Sequence, residues 1–278
     1  MFMMKILSGY RTLRLIACGV LMVNSTIAQI DTLTVYSEVM KKDIDNLVIL
    51  PQNNVGFEGP FPVLYLLHGS GGNYTDWVSN TAAVQSYADA FNIMVVCPDG
   101  GNASWYLDSP IDPKIAYETY MTKELILAVD KRYNTISNKK GRGIAGLSMG
   151  GHGALYLALK HQYLFGAAGS MSGGLDLRAF PSNKNLILLL GNKKERPENW
   201  EKNSVINLVA QWQGELKLAI DCGVDDYFID VNRKTHQQLL KLKIPHDYTE
   251  RAGQHDWNFW ANALDYQMLF FHKFFIGG

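Results

Sequence analysis

The chain has 278 residues, 47% hydrophobic and 19% charged, which is enough for one large α/β domain or two small ones. Its 26 basic and 26 acidic side chains balance, and no basic run is present, which argues against nucleic acid or an anionic membrane as a partner. The composition shows no sign of disorder or of internal repeats.

The first 28 residues have the organisation of a cleavable export signal. Three basic side chains precede an apolar run at residues 15–23, and small residues lead to a cleavage site after Ala28. This run is too short to span about 30 Å of hydrocarbon, so a membrane span is not predicted. Removing the segment, which has three basic and no acidic residues, leaves a net charge of −3.

Two details of this segment stay open. Residues 15–18 resemble a bacterial lipobox, but most of the apolar run follows Cys18, so lipid anchoring there ranks below cleavage. Several early methionines leave the start residue undecided. We therefore predict a secreted or periplasmic protein.

The first half of the remaining chain alternates strands with helices. Residues 29–50 alternate in polarity, as in one or two antiparallel strands. Continuous apolar runs at residues 62–67 and 93–97 are typical of strands buried on both faces. A helix over residues 77–90 is predicted between them, and a long polar loop follows over residues 98–113.

The second half continues this alternation. One helix presents a shared apolar face formed by Tyr117, Met121, Leu125 and Val129. The later predicted elements are strands at 143–147, 165–171, 186–190, 216–220 and 248–250, and helices at 150–159, 231–242 and 257–271. Residues 191–207 are polar and irregular, which indicates a cap over a cleft.

Together these elements predict an α/β fold: a mostly parallel sheet of about eight strands with helices on both faces. No linker divides residues 29–278, so we predict a single domain. Cys97 and Cys222 end apolar runs as buried free thiols, and no pair of residues has zinc-ligand spacing. Neither a metal nor a disulfide is therefore predicted.

The sequence G-L-S-M-G at residues 146–150 matches the pattern G-x-S-x-G. This pattern describes a nucleophilic serine on a tight turn between a strand and a helix. A short apolar run precedes Ser148 and a helical pattern follows it, as the pattern requires. Glycines suit the flanking positions because side chains there would collide with the turn.

A nucleophilic serine needs a base, and the base needs an orienting acid. His255 lies in the loop between the last strand and the final helix, from which it can reach the carboxyl edge of the sheet. The other downstream histidines lie within helices or at the wrong end of a strand: His236, His246 and His272. For the acid, the loop after strand 216–220 offers Asp221, Asp225 and Asp226, and spacing alone does not choose among them.

Two backbone N–H groups are expected to bind the oxyanion. One belongs to Met149, directly after the nucleophile, and the other to the glycine-rich loop after His68, where Ser70 is the first choice. His68 itself is expected to hold that loop by packing or hydrogen bonding.

Four segments carry a resemblance to a known family: Y-L-L-H-G at 65–69, A-G-L-S-M-G-G at 145–151, D-C-G-V-D-D at 221–226 and G-Q-H-D-W at 253–257. In sequence and order they resemble the "putative esterase" (esterase D-like) family. It includes feruloyl, acetyl-xylan and tributyrin esterases, S-formylglutathione hydrolases and mycolyltransferases.

The resemblance implies an α/β-hydrolase fold and no cofactor. The acid of that family follows a glycine by three residues, which selects Asp226 with Asp225 second. Its oxyanion position after His-Gly corresponds to Ser70. The chain is therefore expected to be a serine carboxylesterase that acts through Ser148, His255 and Asp226.

The substrate is less defined: a small ester, or a feruloyl or acetyl ester linked to a plant polysaccharide. Aromatic residues that could ring the cleft are Trp77, Trp105, Tyr106, Trp257 and Trp260, although aromatic side chains more often lie in the core. Alternatives are acyl transfer to a sugar, an S-formylglutathione-type thioesterase, which an export signal disfavours, and a non-catalytic carbohydrate-binding relative. The sequence leaves the oligomeric state open.

Overall fold

The computed structural model describes residues 30–52 and 59–277, so the predicted export signal lies outside the described residues. The strands are β1 (Ile30–Ser37), β2 (Lys42–Ile49), β3 (Val63–Leu67), β4 (Met94–Pro98), β5 (Arg142–Leu147), β6 (Ala167–Met171), β7 (Lys217–Gly223) and β8 (Asp247–Arg251). They form one eight-stranded sheet in the order β1-β2-β4-β3-β5-β6-β7-β8.

The pairing of the strands is mixed. β2 runs antiparallel to both β1 and β4, whereas β4, β3, β5, β6, β7 and β8 pair in parallel. The mostly parallel α/β sheet expected from the sequence is confirmed, with an antiparallel pair at its N-terminal edge. The parallel strands end at a common edge, where the loops that carry functional groups meet.

Helices cover both faces of this sheet. They are α1 (Asp76–Asn80), α2 (Ala83–Phe91), α3 (Tyr117–Thr119), α4 (Ile126–Arg132), α5 (Met149–Lys160), α6 (Lys184–Leu190), α7 (Pro197–Lys202), α8 (Val205–Leu208), α9 (Ile229–Lys241) and α10 (Trp257–Phe275). A π-helical segment (Tyr120–Leu125) joins α3 to α4, and 3₁₀ turns lie at Lys139–Gly141, Leu177–Ala179 and Val209–Gln211.

Two apolar cores flank the sheet. Side chains alternate along β3, so Tyr65 and Leu67 enter one core while Leu64 and Leu66 enter the other. The second core is closed by α1, α2 and α10, and the first by the remaining helices. Within the described residues, no helix has both the length and the apolar character needed to cross a membrane.

Two sequence predictions are wrong in the segment between β6 and β7. The apolar run at 186–190 is not a strand but lies in α6, whose first turn is capped by the Asn183 side chain accepting the Leu186 N–H at 3.1 Å. Leu186 and Leu189 are buried while Leu188 is 71% exposed, which is a helical spacing. The segment 191–207 contains α7 and α8 rather than irregular chain.

The other elements agree with the expected order. The helix expected over 77–90 is divided into α1 and α2 by a break at Thr81 and Ala82. Cys97 and Cys222 are free and buried, and burial raises the pKa of both thiols. Both therefore act as apolar core groups.

Candidate active site

Ser148 occupies a sharp turn between β5 and α5. Its backbone has φ 54° and ψ −117°, a conformation that costs a non-glycine residue about 1–3 kcal/mol. The turn is held by two hydrogen bonds, from the Ser148 N–H to the Met171 carbonyl at 2.9 Å and from the His152 N–H to the Ser148 carbonyl at 3.1 Å. The surrounding structure therefore fixes the hydroxyl in place.

The flanking glycines are required by close packing. A Cβ on Gly146 would lie 2.5 Å from the Gly150 backbone, and one on Gly150 would lie 2.5 Å from the His68 carbonyl oxygen. The same packing brings the loop after β3 next to the turn, because a Cβ on Gly69 would lie 3.4 Å from the Ser148 Cβ. This contact explains why the motif demands glycine at both positions.

His255 lies between β8 and α10, with its imidazole facing Ser148. Nε2 is 2.8 Å from the Ser148 Oγ, and Nδ1 is 2.8 Å and 3.0 Å from the two carboxylate oxygens of Asp226. An ionised carboxylate can only accept, so Nδ1 carries the proton and Nε2 is free to accept from the hydroxyl. The arrangement can therefore take a proton from Ser148.

The loops after β7 and β8 are joined by their backbones. The Val224 N–H donates to the Arg251 carbonyl at 2.9 Å, and the Asp225 N–H to the Gly253 carbonyl at 3.0 Å. A Cβ on Gly223 would lie 2.4 Å from the Gly253 oxygen, so only glycine permits this approach. The glycine three residues before Asp226 thus brings that carboxylate to His255.

The three aspartates of this loop have different environments. Asp226 is 2% exposed, and its Oδ1 also accepts the Phe228 N–H at 2.7 Å. Asp225 is exposed. Asp221 is buried against Arg251 and Gln267, with the Gln267 Nε2 at 2.6 Å, and burial raises its pKa to about 6. Of the three, Asp226 contacts the imidazole.

Of the two expected oxyanion donors, Met149 directly follows Ser148, and Ser70 belongs to the loop after β3. As the first residue of α5, Met149 has an N–H outside the intrahelical hydrogen-bond ladder. Ser70 lines the same cavity as Ser148, and its hydroxyl donates to the Asn102 carbonyl at 3.1 Å. A negative charge on a group bound to Ser148 would meet the N-terminal end of α5.

His68 holds the neighbouring loops, as expected. Its Nδ1 donates to the Gly69 carbonyl at 2.7 Å, and its Nε2 accepts the Gly100 N–H at 2.8 Å. Burial lowers the pKa of His68, which keeps it neutral, as the accepting Nε2 requires. The loops after β3 and β4 are thereby joined next to Ser148.

The cavity at Ser148 has a volume of about 290 Å³. Its lining consists of Ser70, Trp105, Ser148, Phe180, Asn183, Asn185, Tyr227 and Phe228. Of the predicted aromatic residues, only Trp105 lies in this wall. A larger groove, of about 740 Å³ around Glu118, contains none of the three hydrogen-bonded residues, so volume does not identify the site.

The structure does not place the other predicted aromatic side chains Trp77, Tyr106 and Trp257 in the wall of this cavity. Trp77 is 1% exposed and donates its indole N–H to the Leu67 carbonyl at 3.1 Å. Tyr106 is fully buried and donates to the His68 carbonyl at 3.3 Å. Trp257 packs edge-on against Trp77, with ring centroids 5.3 Å apart, and lies outside the cavity wall.

Trp260 is buried and reaches the site only through His255, with ring centroids 4.9 Å apart. Sequence reasoning missed five residues of the cavity wall: Phe180, Asn183, Asn185, Tyr227 and Phe228. Tyr227 and Phe228 directly follow Asp226, and that adjacency is the signal that could have found them. The ring of Tyr227 lies over His255, with ring centroids 4.2 Å apart.

No cluster of three or more potential metal ligands occurs in residues 30–52 or 59–277.

Comparison with known proteins places these residues in context. The sequence profile of the "Putative esterase" family matches residues 37–271, a range that includes all three hydrogen-bonded residues. An acetyl esterase of Caldicellulosiruptor saccharolyticus is 30% identical over 262 residues, covering 83% of this chain and 95% of that protein. A solved ferulic acid esterase superposes with a TM-score of 0.77 at 27% identity, covering 89% of this chain and 98% of that one.

A partial similarity extends to a transferase. The diacylglycerol acyltransferase/mycolyltransferase Ag85A of Mycobacterium leprae is 39% identical over 138 residues, which cover 47% of this chain and 40% of that protein. The chain thus spans less than half of the length of that relative.

Proposed function

Because the chain belongs to the "Putative esterase" family and is a carboxylic ester hydrolase, we propose that Ser148 is its nucleophile, His255 its general base and Asp226 the orienting acid. The observation that carries this proposal is the continuous hydrogen-bonded chain of the three side chains, with each link at 2.8 Å to 3.0 Å. These lengths suit proton transfer.

The cycle follows from this geometry. Ser148 attacks the ester carbonyl as His255 Nε2 takes its proton, and Asp226 stabilises the imidazolium that forms. The N–H groups of Met149 and Ser70 bind the negatively charged oxygen of the tetrahedral intermediate. His255 then protonates the leaving alcohol, and water activated by the same imidazole hydrolyses the acyl-enzyme.

For the substrate we propose an acetyl or feruloyl ester of a plant polysaccharide. The acetyl esterase relative and the ferulic acid esterase structure support this class. The wall formed by Trp105, Phe180 and Phe228 offers apolar surface for a small or planar acyl group in a cavity of about 290 Å³. A panel of feruloyl, acetyl-xylan and short p-nitrophenyl esters tests the choice.

Acyl transfer to a sugar is the second candidate function, favoured by the similarity to Ag85A. The two reactions share the acyl-enzyme and differ in the acceptor that resolves it. Product analysis with and without added sugar separates the two reactions, since a transferase accumulates the sugar ester instead of the free acid.

We also propose that residues 29–278 act as one exported domain.

Replacing Ser148 with alanine tests the nucleophile. Ser148→Ala should abolish hydrolysis of p-nitrophenyl acetate and labelling by a fluorophosphonate probe. The thermal unfolding midpoint should stay close to that of the wild type, because only one hydroxyl is removed. Turnover at the wild-type rate by this variant would refute the assignment.

A further inference from the structure

A second cavity of about 270 Å³ adjoins the Ser148 cavity. Asn185 lines both cavities. Ser70, in the wall of the first, donates to the backbone carbonyl of Asn102, which lies in the wall of the second. The two cavities are therefore neighbours along one cleft, and we name the second cavity the side lobe.

The side lobe is lined by two lysines, Lys42 and Lys114, and by no aspartate or glutamate of the described residues. Neither ammonium group forms an ion pair within the part of the chain that the structure describes. Lys42 donates to the Tyr117 hydroxyl at 2.9 Å and lies 5.1 Å from the centre of that ring. This contact orients Lys42 and leaves its other N–H groups free.

Two carboxylates near the side lobe are engaged by backbone groups. Asp99 accepts the Gly101 N–H at 2.7 Å, and Asp112 accepts the Lys114 N–H at 3.0 Å. Both are therefore directed at their own loops rather than at the ammonium groups. The two ammonium groups therefore stay without a carboxylate partner among the described residues, and they are the charged side chains that form the wall of the lobe.

The position of Lys42 in the sheet gives its lateral separation from the strand that ends at Ser148. Lys42 begins β2, and because β2 runs antiparallel to β4, that start lies at the edge of the sheet where β4 ends. Three strand spacings separate β2 from β5, the strand that ends at Ser148. At about 4.8 Å per spacing, the lateral separation is about 14 Å.

We propose that the side lobe binds a carboxylate on the alcohol portion of the substrate, so that the enzyme prefers esters of acidic oligosaccharides. This inference rests on the proposed function at Ser148. The carboxylate would lie between Lys42 and Lys114, several sugar units away from the scissile bond at Ser148. The exposed amide of Asn185, between the two cavities, is available to sugar hydroxyls along the way.

The test compares matched substrates. Acetylated xylo-oligosaccharides that carry glucuronic acid are compared with the same oligosaccharides after reduction of the carboxyl group to an alcohol. We expect the wild-type kcat/KM to be about two-fold to thirty-fold higher for the acidic form, mainly through KM, as two exposed ion pairs allow. In the double variant Lys42→Gln, Lys114→Gln this ratio should fall to about one.

Lys114→Gln alone should give an intermediate ratio, and it avoids any disturbance of the Tyr117 contact. Lys41→Gln is the matched control, because Lys41 adjoins Lys42 in sequence but pairs with Glu38 at 2.8 Å; its ratio should equal that of the wild type. Equal wild-type kcat/KM for both oligosaccharides, or hydrolysis of neither, overturns the inference. Turnover of p-nitrophenyl acetate in the same preparation shows separately whether the proposed function holds.

Discussion

At the residue scale, Asp226 matters for the tautomer that it imposes on His255. Its carboxylate accepts from Nδ1, so the proton sits on the nitrogen remote from Ser148. An amide in its place can donate to Nδ1 and reverse the ring's tautomer. Nε2 would then carry a proton and could no longer accept from the hydroxyl of Ser148.

Asp226→Asn should therefore lower kcat by about a thousand-fold to ten-thousand-fold. Asp225→Asn is the matched control: its side chain is exposed, and its backbone N–H to Gly253 is retained. It should stay within about two-fold of the wild type. Steady-state kinetics on p-nitrophenyl acetate measure kcat for both variants. A larger loss of kcat in Asp225→Asn than in Asp226→Asn would assign the acid role to Asp225.

Tyr227 covers the imidazole from the solvent side. Its ring lies 4.2 Å from that of His255 although the residue is 66% exposed overall. Burial and then the charge of Asp226 raise the pKa of its phenol, while an interaction with Ser148 acts in the opposite direction. The ring can thus limit water around His255, and its hydroxyl lies on the Ser148 side.

Tyr227→Phe keeps the ring, so kcat/KM should change by at most about three-fold, whereas Tyr227→Ala should lose about ten-fold or more. Both proteins should unfold at the wild-type temperature, because an exposed ring contributes little to the core. An equal loss in the two variants would assign the role to the hydroxyl instead of the ring.

The polar residues of the site could be predicted from the sequence more completely than the residues of its apolar wall. Ser148 follows from a pattern with strict local geometry, and His255 follows from its position after the last strand. Asp226 needed the family resemblance, because the approach of Gly223 to Gly253 is a tertiary contact. Which of several aromatic residues line a cavity depends on packing between distant segments, as Phe180 illustrates.

At the element scale, Glu118 of α3 forms hydrogen bonds with the C-terminal end of α5. This helix begins next to Ser148. Its carboxylate accepts from Tyr156 at 2.6 Å, Lys160 at 2.7 Å and His161 at 2.8 Å. Burial alone would raise the pKa of Glu118, but these three hydrogen bonds outweigh it and lower the pKa to about 2. The ionised form is therefore the one that stabilises the fold.

Because the folded pKa lies below the ordinary value of 4.5, the stabilisation is fully present above about pH 4.5 and is lost as the pH falls towards 2. Glu118→Gln should lower the free energy of unfolding by about 3 kcal/mol at pH 7. The gap between variant and wild type should shrink to less than half by about pH 3. Urea denaturation at the two pH values measures it.

Glu195→Gln serves as the control for this experiment, since Glu195 is exposed. It should leave the unfolding free energy within about 0.5 kcal/mol of the wild type. A gap for Glu118→Gln that is independent of pH would show that shape, and not charge, accounts for the loss.

The elements themselves were largely predictable. Continuous apolar runs identified β3, β4, β5 and β7, because strands buried on both faces lack alternation. The run at 186–190 has the same character but forms a helix, since Asn183 caps its first turn and Leu188 points to solvent. A short apolar run does not reveal its own period, so tertiary context decided this element.

At the scale of the whole molecule, the site depends on the parallel part of the sheet. Ser148 follows β5, Asp226 follows β7 and His255 follows β8, which is an edge strand. The three side chains therefore come from three loops that are far apart in the sequence. The hydrogen-bonded chain therefore exists only when β5 to β8 pair in register, and activity should report on the assembled sheet as a whole.

The opposite edge of the sheet bears on the cleavage that we propose after Ala28. β1 starts at Ile30 and pairs with β2 from Ile30 opposite Ile49 to Ser37 opposite Lys42. Cleavage after Ala28 would leave the whole described strand Ile30–Ser37 in place. A cut within Ile30–Ser37 would remove pairing with β2 from the edge of the sheet.

We therefore expect the protein, when produced with residues 1–28 in a Gram-negative host, to appear in the periplasm with Gln29 as its first residue, as N-terminal sequencing would show. The same chain made directly from Gln29 should have an equal kcat/KM and an equal unfolding midpoint. Ala28→Tyr is the control, because a bulky residue before the cut should block cleavage and leave the precursor in the membrane fraction. A wild-type product that retains residues 1–28, or that is acylated at Cys18 and found with membranes, would contradict cleavage after Ala28.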